Sequence, residues 1–208
     1  VPTCLAAHVT PKQYSSSSEY LEKIIDELIP NIKKNKLTDR IDIFTEEKAF
    51  SVEESLKYLS ELKNDFDITV HANQFSSGGV EVAIKSGAKS ADHLEVLNDK
   101  EIKLLSESNT SAVVLPGCSL GLGIPFAPAR KLLDGNCKLS IATDWNPGSA
   151  PMGDLLHQAS LLGSIEKLTN AEVFSAITFR AADALGLNDR GRIEQDKIAD
   201  FIGFETND

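Results

Sequence analysis

The chain contains four histidines, and three of them stand where chemistry would need them. His8 closes the apolar run TCLAAH, His71 closes DITVHA, and His93 sits near the end of SADHL. A carboxylate, Asp144, closes LSIATD in the same way, and the chain then breaks into Asn-Pro-Gly-Ser. Imidazole and carboxylate are ligands that suit zinc or iron. A divalent ion held by such groups acidifies a bound water and polarises a carbonyl. A carboxylate beside that water both ligates the ion and takes a proton. Other chemistries lack their signatures. There is no GxSxG, no cysteine at a matching position, and the glycines of SSGGVE and LGLG match neither a P-loop nor a dinucleotide fingerprint. Metal-assisted hydrolysis uses these residues best. The fourth histidine, His157 in LLHQAS, reads as a surface or helix-packing residue.

The elements that must position these groups follow from hydrophobic pattern. Strands are predicted at 3–8, 41–46, 67–72, 90–94, 111–116 and 139–144. Helical patterns lie between them. Residues 18–35 place Leu21, Ile24, Ile25, Leu28 and Ile32 on one face, and 51–64 open with the capping-box pair Ser51 and Glu54. Shorter helices are predicted at 78–87, ending on Gly87, at 98–108 and at 126–135, and a longer one at 168–187. Strand and helix alternate, which means βα units and a parallel sheet. In such folds the C-terminal ends of the strands share one face, where ligands bind. His8, His71, His93 and Asp144 are therefore predicted to converge. A buried strand that ends on a carboxylate needs a cation there, because an unpaired buried charge is costly. The competing reading of this stretch is a helix cap, with Asp or Ser preceding GDLLHQASLL.

Bulk properties narrow the class. With 208 residues, one domain is expected, and 41% hydrophobic with 25% charged residues is ordinary globular composition. A net charge of -10 argues against nucleic acid or an anionic membrane as partner. Three cysteines, Cys4, Cys118 and Cys137, do not make a disulfide framework and suit a reducing cytoplasm. No apolar run reaches the roughly 18 residues of a membrane span, and no signal peptide is expected. The N-terminus has no Met and already reads as a strand, so the chain is expected to start inside a larger protein.

Several segments resemble one known family. HANQFSSGGVEVAIKSGAKSADHLE, VVLPG, ATDWNPGSAP and TFRAADALGLNDRGRIEQDKIADF are similar to the imidazolonepropionases, within the metal-dependent amidohydrolase superfamily. The most specific parts are the HAxQ-to-ADHLE spacing and the DxNPGS segment. The resemblance implies an α/β fold of the (β/α)8 TIM-like barrel type, represented by about strands three to eight over residues 1–190. It also implies a C-terminal strand, from IADFIGF, returning toward a small β-domain in residues 191–208. The implied activity is hydrolysis of 4-imidazolone-5-propanoate to N-formimidoyl-L-glutamate in histidine degradation. One zinc or iron ion, a small-molecule substrate and a homodimer are implied with it.

Residue by residue, the resemblance makes His71 and Asp144 metal ligands and His93 the histidine that faces the reacting ring. His8 matches a substrate-contacting histidine. Asn146, Gly148 and Ser149 match the loop that holds substrate. Gln74 matches a position that also carries Glu and is credited with ring contact or proton transfer. A neutral amide is not a general base, so Gln74 is expected to orient the ring by hydrogen bonding. Asp144 and His93 then move the protons. Two departures stand out. The His-x-His ligand pair of the family's first strand is absent, and so are its first two βα units; the remainder would have exposed edges and an open core. The segment CSLGLGIPFAPARKLL, 118–133, also differs, and within it Arg130 is a candidate carboxylate clamp, although such an Arg is more often a helix-surface charge. Alternatives are another cyclic amidohydrolase, a formimino hydrolase or a deaminase of the same superfamily, or an inactive fragment with a structural role.

Overall fold

A computed structural model describes residues 1–205. Six strands form one sheet in chain order, and each neighbouring pair is parallel. They are β1 (Cys4–Ala7), β2 (Arg40–Thr45), β3 (Asp67–Ala72), β4 (Ser90–His93), β5 (Ser111–Val114) and β6 (Leu139–Ile141). Helices make every crossover. After β1 come α1 (Ser17–Lys23), a π-helical turn at Ile24–Leu28 and α2 (Ile29–Asn35). Then follow α3 (Val52–Leu62), α4 (Gly79–Ser86), α5 (Asp99–Ser106), α6 (Pro116–Leu122) and α7 (Ala129–Asp134). Beyond β6 lie α8 (Leu155–Ile165), α9 (Asn170–Ile177) and α10 (Phe179–Ala184).

Strand alternation sorts the side chains into two environments. Ile41, Ile43, Ile68, Val70, Ala91, Ala112 and Leu139 are buried in the apolar core with Tyr58, Leu59 and Leu62 of α3. Fully burying an aliphatic side chain of this size stabilises the fold by about 1.5–3 kcal/mol. The alternate positions are polar: Arg40 and Asp42, Thr69 and His71, Ser90 and Asp92, and Ser140. These polar positions, with Leu5 of β1 and Asp144 beyond β6, line one cavity of about 390 Å³. Both edge strands facing one cavity means that the sheet wraps around it. Among the described residues, β1 and β6 each have a strand on one side only, as expected for an incomplete barrel.

Three departures from the sequence reading have local causes. The first helix is not straight. Pro30 has no N–H to donate, and the helix widens just before it, with Ile29 N–H reaching back to Ile24 O. This shifts the buried stripe to Leu21, Ile24, Ile29 and Ile32, leaving Ile25 and Leu28 partly buried. The expected helix over 168–187 breaks at Thr178, whose hydroxyl bonds back to Phe174 O and competes with the ladder. Finally, IADFIGF forms no strand among the described residues. A strand exists only as half of a ladder, and none lies beside it here. The last three residues of the expected 191–208 segment lie outside the described residues. No helix among the described residues is long and apolar enough to cross a membrane, and the three cysteines are unpaired.

The loop after β3 is anchored with unusual thoroughness. Gly78 has φ 116°, and a Cβ on Gly79 would lie 2.5 Å from Ala72 Cα, so this pair lets α4 start against the strand end. Buried Asn73 accepts from Val80 N–H at 3.0 Å and donates to Val96 O at 2.7 Å and Glu101 Oε1 at 2.8 Å. Asn73→Ala should therefore destabilise the fold by about 2–4 kcal/mol, since it strips partners from buried groups. Denaturant midpoints of the two proteins check this, and a cost below about 1 kcal/mol would show that water replaces the network.

Candidate metal centre and catalytic site

The strand ends do bring the histidines together. The His8 ring centroid lies 5.4 Å from that of His71, and the His71 centroid lies 5.2 Å from that of His93. His8 stacks on Phe44 at 5.0 Å, which fixes its plane. Simple alternation would send Asp92 and His93 to opposite faces of β4. The backbone instead turns at His93, with φ 84°, and again at Leu94, with φ 72°. Asn73 beyond β3 (φ 54°) and Asp144 beyond β6 (φ 53°) also adopt left-handed backbone. Non-glycine residues in this region are strained and tend to gather at functional sites.

Beneath His71 sits a carboxylate pair that the sequence reading did not single out. His71 Nδ1 lies 2.7 Å from Asp42 Oδ1, and Thr69 Oγ1 donates to Asp42 Oδ2. Asp92 is opposite His71 in the β3–β4 register. One ligand atom from each of Asp42, His71 and Asp92 lies within 4.8 Å of the other two. Burial pulls the His71 pKa down, but the charge of Asp42, its hydrogen bond and the charges of Asp92 and Asp144 together outweigh it and raise the value to about 9. Burial, and then the charge of Asp42, push Asp92 up to about 6. Asp92 Oδ1 is buried without a hydrogen-bond partner. Two carboxylates against one imidazole leave this buried group short of positive charge even when His71 is protonated, and a divalent cation makes up the deficit. The donor set of imidazole and carboxylate oxygens suits zinc or iron. Burial, then the charge of His71, lower the His8 pKa, which favours the neutral ring in His8.

Asp144 lines the same cavity as His71 and is held by the turn that follows it. Ser149 Oγ donates to Asp144 Oδ2 at 3.2 Å, and Asn146 Nδ2 donates to Asp144 O at 2.6 Å. Asn146 Oδ1 accepts from the backbone N–H of both Gly148 and Ser149 at 2.8 Å. The donors of this turn are thus directed at the turn itself, and its evident structural work is to fix Asp144. The helix cap falls elsewhere: Asp154 accepts from His157 N–H and opens α8, leaving His157 exposed as expected.

Gln74 is buried, and its Nε2 donates to Cys118 Sγ at 3.1 Å. Arg130 is not a carboxylate clamp in the cavity. Its guanidinium pairs with Asp134 at 2.8 Å and with Glu172 at 3.0 Å, tying α7 to α9 in the helical layer. An Arg followed four residues later by Asp is a helix-surface pattern, and that local pairing prevails here.

The overlooked Asp42 and Asp92 had a signal in the sequence. RIDIF and SADH place a charge inside an apolar strand two residues from another polar group. Such a period of two marks an inward polar face, but only a closed or wrapped sheet makes that face a site. A ligating histidine commonly gives its second ring nitrogen to a carboxylate, and the Asp42–His71 contact has that form. Asp42→Asn is expected to weaken zinc affinity about 10–100-fold. Competition against a chromogenic chelator measures it, and an unchanged affinity would remove Asp42 from the centre.

The comparisons with known proteins agree with this architecture. The amidohydrolase family model matches residues 2–208. Imidazolonepropionase from Christiangramia forsetii is 41% identical over 204 residues, covering 96% of this chain and 50% of that protein. The imidazolonepropionase of Deinococcus deserti is 39% identical over 210 residues, covering 100% of this chain and 52% of that protein. The chain thus spans about half the length of the curated relatives it matches. Among solved structures, an adenosine deaminase from Xanthomonas campestris with bound zinc superposes with a TM-score of 0.70 at 23% identity. That match covers 93% of this chain and 50% of the deaminase. The atrazine chlorohydrolase of Arthrobacter aurescens TC1, complexed with zinc, gives 0.69 at 17% identity, covering 86% of this chain and 46% of the hydrolase. At these identities the structural matches speak for the fold, a parallel α/β arc of the TIM-barrel type. With the model spanning nearly every residue, the chain belongs to the amidohydrolase family.

Proposed function

We propose that the protein carrying this chain hydrolyses the cyclic amide of 4-imidazolone-5-propanoate to N-formimidoyl-L-glutamate, a step of histidine degradation. The observation that carries the reading is the convergence of His8, His71 and His93 at adjoining strand ends, with Asp144 on the cavity that His71 lines. Identity near 40% to two imidazolonepropionases, along essentially the whole chain, supports this substrate within the family. His71 and Asp144 would hold a zinc or iron ion, with Asp42 positioning His71 and Asp92 adding negative charge. When bound, such an ion supplies Lewis acidity that acidifies water and polarises a carbonyl.

The chain's own residues then handle orientation and protons. Water adds to the ring carbonyl carbon, the C–N bond breaks, and the departing nitrogen gains a hydrogen. Asp144 takes the proton from the attacking water, through the carboxylate oxygen that Ser149 does not hold. His93 delivers a proton to the departing nitrogen. His8, favoured in its neutral form, donates or accepts a hydrogen bond at the substrate. Asn146, Gly148 and Ser149 keep the Asp144 carboxylate aimed, and the backbone of this turn borders the substrate's polar end. Gln74 contributes through the Cys118 contact that fixes its amide, orienting the ring without transferring a proton. A small molecule is the expected partner, acting in the cytoplasm, and the homodimer implied by the resemblance is tested by sedimentation.

The deciding experiment follows ring opening of 4-imidazolone-5-propanoate by the complete gene product with added zinc or iron. Turnover that a chelator abolishes and metal restores is expected. No turnover of this substrate, with hydrolysis of a different cyclic amide or a deamination in a substrate panel, would overturn the reading.

A further inference from the structure

Behind His93 lie two buried side chains, Glu95 and Cys118, to which the reaction above gives no proton-transfer role. One ligand atom from each of His93, Glu95 and Cys118 lies within 4.8 Å of the other two. Cys118 is fully buried, and the His93 and Glu95 side chains are only 3% and 2% exposed. His93 Nδ1 faces Glu95 Oε2 at 3.8 Å, and neither atom has a hydrogen-bond partner. Buried polar atoms left facing one another without a partner are costly. Their separation is too long for a hydrogen bond. It is close to the edge of a tetrahedral ion site, about 3.3–3.6 Å for nitrogen and oxygen ligands at about 2.0–2.2 Å.

The remaining atoms of this group are already oriented. Ser119 Oγ donates to Glu95 Oε1 at 2.9 Å, which leaves Oε2 for the His93 side. Gln74 Nε2 donates to Cys118 Sγ at 3.1 Å, and an amide N–H aimed at sulfur favours thiolate over thiol. Outer donors that fix the inner donors are characteristic of metal centres.

We propose that His93 Nδ1, Glu95 and Cys118 form a second site, containing a thiolate, for a divalent cation of the zinc class. It is distinct from the centre at His71 and leaves a fourth coordination position open. Binding breaks the Cys118 S–H bond, forms a sulfur–metal bond and releases one proton to solvent. Burial, then the charge of Glu95, push the Cys118 pKa up to about 12, so the thiol is the form the ion meets near neutral pH. Coordination at Nδ1 also leaves Nε2 as the His93 nitrogen that carries hydrogen.

Cobalt(II) is the probe, because a cobalt–thiolate bond gives a charge-transfer band in the near ultraviolet. The purified protein should develop this band on cobalt addition and release one proton for each ion bound at this site. Cys118→Ser should abolish the band, and Glu95→Gln should weaken cobalt affinity at least tenfold. His71→Asn, which strips the other centre, should leave the band in place. No band in the unaltered protein overturns the proposal. So does a band that survives in the Cys118→Ser protein, since it would come from Cys4 or Cys137. Should Cys118→Ser fail to fold, the Glu95→Gln affinity decides, with circular dichroism confirming its fold, and an unchanged affinity overturns the site. The band requires no turnover, so its loss and the loss of ring opening are separately visible.

Discussion

Replacing Asp144 with asparagine should lower kcat for ring opening by about 10³-fold or more while leaving the fold almost untouched. The side chain keeps its shape, and asparagine tolerates the left-handed backbone that position 144 adopts, φ 53°, better than most residues. The Asn146 bond to the backbone carbonyl of residue 144 does not depend on the side chain and survives. Ser149 Oγ can still donate to an amide oxygen as it does to Asp144 Oδ2. What disappears is the negative charge and the ability to take a proton. The measurement is kcat of the complete protein at saturating zinc, with thermal unfolding as the control for folding. A loss of less than about tenfold would mean that Asp144 neither holds the ion nor moves the proton, and the catalytic arrangement would need another base.

His93→Asn should lower kcat by about 10²–10³-fold. Asparagine again suits the positive φ, 84°, that this position requires, so the loop after β4 should keep its course. The imidazole lies 5.2 Å, centroid to centroid, from His71 and is buried. Its removal takes away the group placed to protonate the departing nitrogen. A steady-state comparison separates this role from binding. A fall in kcat at nearly constant KM supports proton delivery, whereas a rise in KM at constant kcat would make His93 only a contact for the ring. Because His93 also belongs to the proposed cobalt site, the thiolate band is recorded on the same variant, and it should weaken.

Much of the architecture is readable from local pattern. Five of the six strands fall within a predicted run and β2 begins one residue before its own, since an apolar run of 3–6 residues bounded by turn residues has few other stable fates in a folded domain. The capping box at Ser51 and Glu54, and the end of α4 at Gly87, form as their local chemistry dictates. Helix α6 was not foreseen. The apolar stretch VVLPGCSLGLG has no polar face, and its glycines speak against a helix. Tertiary packing overrides this: a Cβ at Gly117 would lie 2.6 Å from Thr143 O, so only glycine lets α6 settle against the end of the β6 segment.

The sequence alone determined which residues would stand at strand ends, because strand length and the parallel βα rhythm are local properties. That is why His8, His71, His93 and Asp144 form a recognisable group in the sequence itself. What those side chains touch was decided only by tertiary structure. The contact of Asp42 with His71 depends on the register between β2 and β3, where Phe44 lies opposite His71 and Asp42 opposite Thr69. The gathering of His93 with Glu95 and Cys118 depends on a positive φ at His93 and on where α6 packs, 25 residues after it in the chain. The pairing of Arg130 with Glu172 depends on α7 and α9 lying side by side. Periodicity assigns a side chain to a face, but charges and hydrogen bonds act over a few ångströms. Those distances come from register and packing, which pattern does not encode.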